Sequence, residues 1–302
     1  MAGYTVTGLT NYVDVNKDVL IKNVVLGYDK GDTIANMRKQ LGVKGTERLN
    51  YLDVNPVLQD GTGCGFSAQG STVFSERDIT VKPVKYNDQW CNDNLLGKFT
   101  EYKVRFGADA NAREFGFEEE ILGEVGRKID EKLEKIVWQG DTALTITGLV
   151  GLATGSDSAS TISAATSSAN TVYQNVKAVI MACPEYLLDN LVVFLSPADF
   201  RSLCFELTEN SNLKIEAQEI EKGEFYFPAT SVKVHKTFGL SGVKGIYASV
   251  WDNLIYATDM MGDAEEYRVW FSDDDDLHKI KVKFALGVST LYPDAVIYGS
   301  TE

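Results

Sequence analysis

The sequence predicts an α+β fold, because one long helical pattern precedes a C-terminal half that consists mostly of strands. The helical pattern covers residues 114–138, where apolar residues recur at every fourth position. The strand patterns lie between residues 232 and 298 and include the long run "HKIKVKFALGVSTLY". A chain of 302 residues with 44% hydrophobic and 24% charged residues has the composition of a folded protein with one large domain or two modest ones.

The first 110 residues predict an extended arm followed by a hairpin. Residues 1–60 are loosely patterned, and we expect them to hold little more than a strand over 19–26 and a short helix over 33–41. After the glycine-rich loop "DGTGCGFSAQGS", alternating patterns over 72–86 and 99–107 predict two strands. The turn-like "NDQWCNDN" between them makes a long, charged hairpin that we expect to project from the body.

The predicted long helix ends abruptly. Its acidic residues lie early and its lysines late, which suits the helix dipole, and 25 residues would span about 37 Å. The helix then meets Gly140 in the stretch "KIVWQGDTALTITGLVGLATG". The main apolar positions of the helix are Ile121, Val125, Ile129 and Leu133.

Residues 153–171 are rich in Ser, Thr and Ala and predict a junction between subdomains. A second helix over 172–190 and the buried strand "LVVFL" follow. Ser196 and Pro197 then predict the cap and first turn of another short helix.

No residue pattern supports an enzyme, so we expect no catalytic residue, cofactor or metal. The two histidines, His235 and His278, lack a nearby Ser or Cys in a nucleophile setting. The "GTGCG" at 61–65 lacks the lysine and following helix of a phosphate-binding loop, and "DVNKD" at 14–18 lacks the glycine and glutamate of a calcium loop. The run Asp273–Asp276 fits a solvated loop, or one that faces lysines of a neighbouring chain, better than an ion site.

The charge and the cysteines bound the function further. A net charge of −14 disfavours a dedicated DNA-binding role, although it is compatible with a wall that encloses nucleic acid. The four cysteines form no C-x-x-C pair, which argues for a reducing compartment. Because no signal peptide or membrane-length apolar run is present, we expect synthesis in the cytoplasm and no membrane contact.

Taken in order, these elements resemble the major capsid proteins of tailed double-stranded DNA phages, which have the Hong Kong 97-type fold. Three stretches carry the resemblance: "EKLEKIVWQGDTALTITGLVGL", "VFLSPADFRSL" and "IYATDM…YRVWFSDDDDLHKIKVKFALGVSTLYPDAVIYG". The first is similar to the end of that family's spine helix, where Trp138 would anchor the turn at Gly140. The resemblance covers most of residues 60–300.

The resemblance implies a domain organisation. Residues 1–60 would form the N-terminal arm and residues 61–110 the extended loop. Residues 111–155 and 277–302 would form the peripheral domain with its spine helix at 114–138, and residues 156–276 the axial domain.

The resemblance also implies self-assembly into hexamers and pentamers of an icosahedral shell, the virion capsid, which encloses DNA without reading its sequence. Scaffolding would be a separate protein, unless the sequence is that of an already matured chain, and a portal and optional decoration proteins would be further partners. No covalent crosslink is expected, because residues 273–291 contain neither Asn nor Glu. The candidate contacts between subunits are Arg77, Lys82, Lys85, Trp90, Lys98, Asp273, Asp274, Asp275 and Asp276.

Two other functions compete with this interpretation. An encapsulin-type shell protein of a bacterial nanocompartment shares the fold, although the extended sixty-residue start argues against it. A soluble enzyme or carbohydrate-binding protein with an unfamiliar site is the third possibility, and the scarcity of histidine and of motifs weighs against it.

Overall fold

The computed structural model describes residues 33–60, 69–91, 116–211, 217–259, 266–275 and 277–301, together with Tyr12, Val13, Asn16 and Leu20. The described helices are α1 (Thr33–Asn36), α2 (Gly116–Gln139), α3 (Leu149–Thr154), α4 (Val172–Ala182), α5 (Pro197–Ser211) and α6 (Ala217–Lys222). The described strands are β1 (Arg38–Leu41), β2 (Thr46–Asn55), β3 (Ser71–Thr80), β4 (Lys82–Cys91), β5 (Ile162–Ser163), β6 (Val192–Leu195), β7 (Glu224–Tyr226), β8 (Lys233–Lys236), β9 (Gly245–Ser249), β10 (Leu254–Thr258), β11 (Glu266–Ser272), β12 (Leu277–Thr290) and β13 (Ile297–Ser300).

The long helix predicted over residues 114–138 is α2, with 24 described residues and a length of about 36 Å. Leu122, Ile129 and Leu133 are buried on the face that packs against the first sheet. Residues 114 and 115 lie outside the described part of the chain. The amphipathic pattern was therefore sufficient to locate this element.

The first sheet is built around β12. Its strand order is β1-β10-β12-β11, and β4 pairs with β12 on the side opposite β11. Along β12 the buried residues Ile280, Val282 and Phe284 alternate with lysines, so one face of the sheet packs on α2 and the other carries charge. The long terminal strand predicted from "HKIKVKFALGVSTLY" is confirmed.

The predicted hairpin is wrong in position. Residues 87–91, expected to be a turn, continue β4, which is paired with β12 from residue 82 to residue 91. The polar residues of this segment suggested a turn, but Tyr86, Asp88 and Trp90 lie on one face of the strand and satisfy each other's hydrogen bonds. There the Tyr86 hydroxyl and the Trp90 indole N–H donate to Asp88 Oδ2 at 2.9 and 3.0 Å. The expected second strand at 99–107 lies outside the described residues.

The hairpin that the structure does contain is formed by β2 and β3, which pair antiparallel over ten residues each. It begins inside the region expected to be an arm. The short helix expected over 33–41 is also corrected, because helix α1 ends at Asn36 and residues 38–41 form β1, which pairs in parallel with β10. Both changes have one cause: strand partners distant in sequence determine which weakly patterned segments become strands.

The second sheet has the order β5-β13-β9-β6-β8-β7, and its apolar core also contains residues of α4 and α5. The predicted cap of α5 is confirmed, since Ser196 Oγ accepts from the Asp199 N–H at 3.1 Å and Pro197 begins the helix. β10 and β11 pair with β12 in the first sheet. After β12 the chain leaves that sheet, turns at Pro293 and continues as β13, which pairs with β9 in the second sheet.

Candidate functional site

The described residues do not gather the side chains of a catalytic or metal site. Within them, no group of three or more His, Cys, Asp or Glu side chains is placed to hold a metal ion. Both histidines are buried: His278 lies against Phe271 at 5.1 Å, and His235 lies against Trp251 at 5.4 Å between ring centroids. Burial lowers the pKa of His235, although Glu224 opposes the shift, so this imidazole is a packing group at neutral pH.

The described cysteines and helices supply no further candidate site. Cys91, Cys183 and Cys204 are free thiols, and burial raises the pKa of Cys183 to about 11, which suppresses its thiolate. Cys64 lies outside the described residues. None of the described helices combines the length and the apolar character needed to cross a membrane. The functional candidates are therefore surfaces and the joints that position them.

The C-terminal end of α2 is a joint between the N-terminal segment and the two sheets. Glu134 is buried, and its Oε1 accepts from Thr33 Oγ1 at 2.9 Å and from Thr237 Oγ1 at 2.7 Å. The Trp138 indole N–H donates to the same Thr33 hydroxyl at 3.0 Å. Three segments distant in sequence are thus joined at one turn of the helix by buried hydrogen bonds.

Trp138 itself is fully buried against the second sheet. Its ring lies 4.9 Å from Phe194 and 5.3 Å from Tyr247. The backbone of Gly239 approaches so closely that a Cβ there would lie 2.1 Å from Trp138 Cδ1. The indole therefore fastens the end of α2 between the two sheets, at the site where the sequence predicted an anchor.

The break after α2 depends on two glycines. Gly140 has φ +81°, in the left-handed region that glycine favours, and Asp141 and Ile146 close the following loop with backbone hydrogen bonds of 2.9 and 3.0 Å. Gly148 then crosses the helix end, where its own Cβ would lie 2.3 Å from the Gly140 nitrogen. The chain can reverse here because the backbones at Gly140 and Gly148 lie in direct contact, with no side chain between them.

The root of the β2–β3 hairpin is fastened to the body. Arg77 on β3 forms an ion pair with Asp157 in the loop after α3, and their side chains are only 15% and 10% exposed. Thr290 Oγ1 lies 3.4 Å from the same Asp157 oxygen, and Tyr51 packs edge-on against Tyr292 at 5.4 Å. Arg77, predicted from the sequence as a contact between subunits, is therefore engaged within its own chain.

The far end of the hairpin exposes apolar side chains. Phe74 is 82% exposed and Leu58 is 96% exposed, and Leu52 pairs directly with Phe74 across the two strands. We call this surface the apolar tip, and its members are Leu52, Val54, Val57, Leu58, Val73 and Phe74. Clusters of this kind usually mark an interface.

The other predicted contact residues are scattered. Lys82 and Lys85 lie three positions apart on β4 and so occupy opposite faces of the first sheet, while Trp90 is half-buried against its core. Asp273 and Asp274 are exposed in the turn between β11 and β12.

The remaining predicted contacts are engaged locally or lie beyond the described chain. Asp275 pairs with Lys279 and accepts from Ser272 Oγ at 3.1 Å, and these two interactions lower the pKa of its carboxyl group. Lys98 and Asp276 lie outside the described residues. The structure therefore does not assemble the predicted set into one site.

A basic surface that the sequence did not predict lies on the first sheet, opposite α2. The register places Lys283 directly across from Lys85, and Lys281 directly across from Arg268. We call this surface the basic face, and its members are Lys85, Arg268, Lys279, Lys281 and Lys283. The alternation in "HKIKVK" signalled three of these side chains, but the strand register alone adds the other two.

On the other side of the same sheet, a groove of about 450 Å³ separates α2 from β4 and β12. Val84, Phe284 and Ile136 contribute to its mostly apolar lining, and Lys135 lies over the Phe238 ring at 4.9 Å. Helix α4 and the short helical turn Glu185–Asn190 that follows it also expose large apolar side chains, Met181 at 76% and Tyr186 at 73%. These are further surfaces suited to contacts with other molecules.

No protein-family model matches the sequence, and no curated protein matches it. Solved structures do match. A chain of the satellite phage P4 procapsid including size determination (Sid) protein is 7% identical with a TM-score of 0.63, covering 96% of this chain and 95% of that one. A chain of the capsid of an empty GTA particle gives 0.59 at 8% identity with 90% of each chain covered, and the capsid of Myoviridae phage XM1 gives 0.52 at 14% identity with 88% and 90% covered. The chain therefore has the fold of phage capsid structures, which confirms the predicted Hong Kong 97-type α+β fold.

Proposed function

We propose that this chain is a major capsid protein, a structural subunit that assembles into hexamers and pentamers of an icosahedral phage shell around double-stranded DNA. The observation that carries the proposal is the capsid fold over nearly the whole chain, combined with a hairpin whose apolar tip its own chain leaves uncovered. A shell subunit makes the same contacts many times, so surfaces left exposed in one copy are covered by others.

The energy available from such contacts is substantial. Burying a side chain such as Phe74 or Leu58 contributes about 1.5–3 kcal/mol, and the tip has six apolar residues. Part of this is offset by the lost freedom of the subunit and of the hairpin. Because each subunit would contribute one hairpin, modest contacts repeated around a closed ring stabilise the whole assembly.

The same proposal covers location, partners and chemistry. The protein would be made in the host bacterial cytoplasm and reside in the virion. It would act beside separate scaffolding, portal and decoration proteins, with no membrane and no cofactor. Its role would be structural rather than enzymatic, as the burial of both histidines supports. We keep Lys82, Lys85, Trp90, Asp273 and Asp274 as proposed contacts between subunits.

Electron microscopy of the purified, concentrated protein tests the proposal. We expect icosahedral shells in negative stain, a fast-sedimenting fraction, and nucleic acid inside particles recovered from infected cells. Small shells filled with a cargo enzyme would instead indicate an encapsulin. A compact monomer under all conditions of concentration and salt, with or without candidate scaffolding proteins, would refute both.

A further inference from the structure

The groove between α2 and the strands β4 and β12 is a surface that the chain itself does not fill. It has a volume of about 450 Å³, and its walls are residues 124–136 of the helix and Val84, Tyr86 and Phe284 of the strands. At 1.5 Å per residue the helical wall is about 18 Å long, which corresponds to about three turns of helix. A groove of this volume is large enough to bind another molecule. We call it the α2 groove.

An apolar strip runs along the α2 groove. Val125, Ile129 and Ile136 follow one another at helical spacing and therefore lie on one side of α2. Ile129 is buried, whereas Val125 and Ile136 are only partly covered by the core against which they pack. Val84, on the opposite wall, is also only partly covered. The groove therefore offers apolar side chains of a partner a matching surface.

The rim of the α2 groove has two cations without an internal counter-charge. The acidic rim residues Glu124 and Glu131 both pair with Arg127 on the same helix. Lys132 and Lys135 also line the groove, and neither forms an ion pair with another residue in the described part of the chain. A partner that carries carboxylates beside its apolar side chains would meet these two lysines with opposite charge.

The geometry of the long wall favours a helical partner. Because this wall is itself a helix, its ridges of side chains can intercalate with those of a second helix that lies along the groove. A groove of about three turns takes several apolar anchors from one face of such a helix, at positions i, i+4 and i+7.

The described helices of the chain itself do not supply such a face. Among them, only α4, α5 and α6 expose a large apolar side chain, and each exposes one: Met181, Phe205 and Ile220. A helix from a second copy would therefore leave most of the apolar strip uncovered. The phosphate backbone of a nucleic acid would leave the whole strip uncovered. The occupant that fits both the strip and the rim is a helix of a different protein.

We propose that the α2 groove binds an acidic amphipathic helix of a separate protein. The apolar face of that helix would cover the strip between Val125 and Ile136, and its flanking carboxylates would pair with Lys132 and Lys135. The inference rests on the proposed shell function for the identity of the partner, the separate scaffolding protein, and it names the surface on which that protein acts.

Peptide binding to unassembled wild-type subunits tests the inference. The probe is a fluorescently labelled helical peptide of about 14 residues, with leucine at i, i+4, i+7 and i+11 and glutamate at the flanking positions. The control peptide carries lysine in place of each glutamate. We expect the acidic peptide to bind at least about tenfold more tightly than the basic one in fluorescence anisotropy, because opposite charges meet at the rim.

Two variants of the chain separate charge from shape. Lys132→Glu with Lys135→Glu should weaken binding of the acidic peptide at least about tenfold and strengthen binding of the basic peptide by a similar factor. Val125→Phe places a larger side chain in the groove and should also weaken binding of the acidic peptide at least about tenfold. The matched control, Lys177→Glu with Lys222→Glu, changes the net charge equally at exposed positions of α4 and α6 and should bind as the wild type does. Circular dichroism verifies that each variant is folded.

Equal binding of the acidic peptide to the wild type and to either groove variant would overturn the inference. Binding of laurate or of a double-stranded oligonucleotide, but of neither peptide, would also overturn it and assign the groove to an amphiphile or to nucleic acid. Self-association of the wild type that Val125→Phe abolishes, again without peptide binding, would assign the groove to a second copy. Because all these measurements use unassembled subunits, they do not depend on shells. Absence of shells from the wild-type protein would refute the proposed function and leave the peptide result standing.

Discussion

The crossing of two backbones at the end of α2 provides a quantitative prediction. Replacement of Gly148 by Ala would place a Cβ 2.3 Å from the Gly140 nitrogen and 2.6 Å from backbone carbons of Trp138 and Gln139. Contacts under 3.0 Å are essentially never observed, and backbone atoms cannot rotate away as a flexible side chain would. Overpacking usually costs about 1–3 kcal/mol, so we expect a loss of about 3 kcal/mol or more in the free energy of unfolding.

The control is Gly242→Ala, which separates crowding from backbone conformation. Gly148 has φ −81°, which any residue tolerates, whereas Gly242 has φ +86° and open space around its missing Cβ. The control should therefore lose only the cost of the left-handed conformation, about 1–2 kcal/mol.

The assay is thermal unfolding of subunits kept dilute enough to remain unassembled. An unfolding entropy of about 2.1 cal/mol/K per residue converts 1 kcal/mol to about 1.6 °C for this chain length. We expect Tm to fall by about 5 °C for Gly148→Ala and by about 2 °C for Gly242→Ala. If Gly148→Ala lowered Tm no more than the control does, the described crossing would be incorrect.

Three further predictions follow from single contacts. Phe74→Ala should leave the free energy of unfolding of the isolated subunit unchanged within about 0.5 kcal/mol, because the side chain is 82% exposed. It should nevertheless raise the protein concentration at which shells form, measured by light scattering, by about tenfold or more. An unchanged assembly concentration would show that Phe74 is not in the interface. Asp157→Ala should lower the free energy of unfolding, measured by urea titration, by about 3 kcal/mol, because it leaves the Arg77 cation buried without its partner. Replacing both partners with apolar residues, Arg77→Met with Asp157→Leu, should restore most of that loss. An equal loss in the single and the double variant would contradict the ion pair. Burial lowers the pKa of His235, so its contribution to stability is fully present above the unfolded-state pKa of about 6.5 and is lost as pH falls below that value. His235→Phe should therefore reduce the drop in Tm between pH 7.5 and pH 5.5. An identical drop in the variant and the wild type would show that His235 does not cause it.

Each element that the sequence located well has a signal within a few consecutive residues. Helix α2 follows from its apolar period, β12 from its alternation, and the start of α5 from Ser196 and Pro197. The break at Gly140 was also visible, because glycine after a charged helical run is a local stop signal. In these segments propensity, periodicity and tertiary structure agree.

The candidate surfaces were only partly predictable. Lysines at 279, 281 and 283 were evident as alternating charges. Arg268 joins them by pairing with Lys281, 13 positions away, and Lys85 by pairing with Lys283, 198 positions away. Arg77 was a plausible contact between subunits until Asp157, eighty positions away, was found beside it. Local patterns reveal which side chains share a face, but they do not reveal which strands are neighbours.

The sequence by itself determined the long helix, its abrupt end, the terminal strand, the absence of recognisable catalytic motifs and the resemblance to capsid proteins. The tertiary structure alone decided that residues 46–55 and 71–80 form the hairpin, that β4 belongs to the first sheet, and which charges lie side by side. The physical reason is that helices and caps are stabilised by groups within about four positions of each other, whereas a strand acquires its hydrogen bonds and its charged neighbours from partners that only the folded chain brings together.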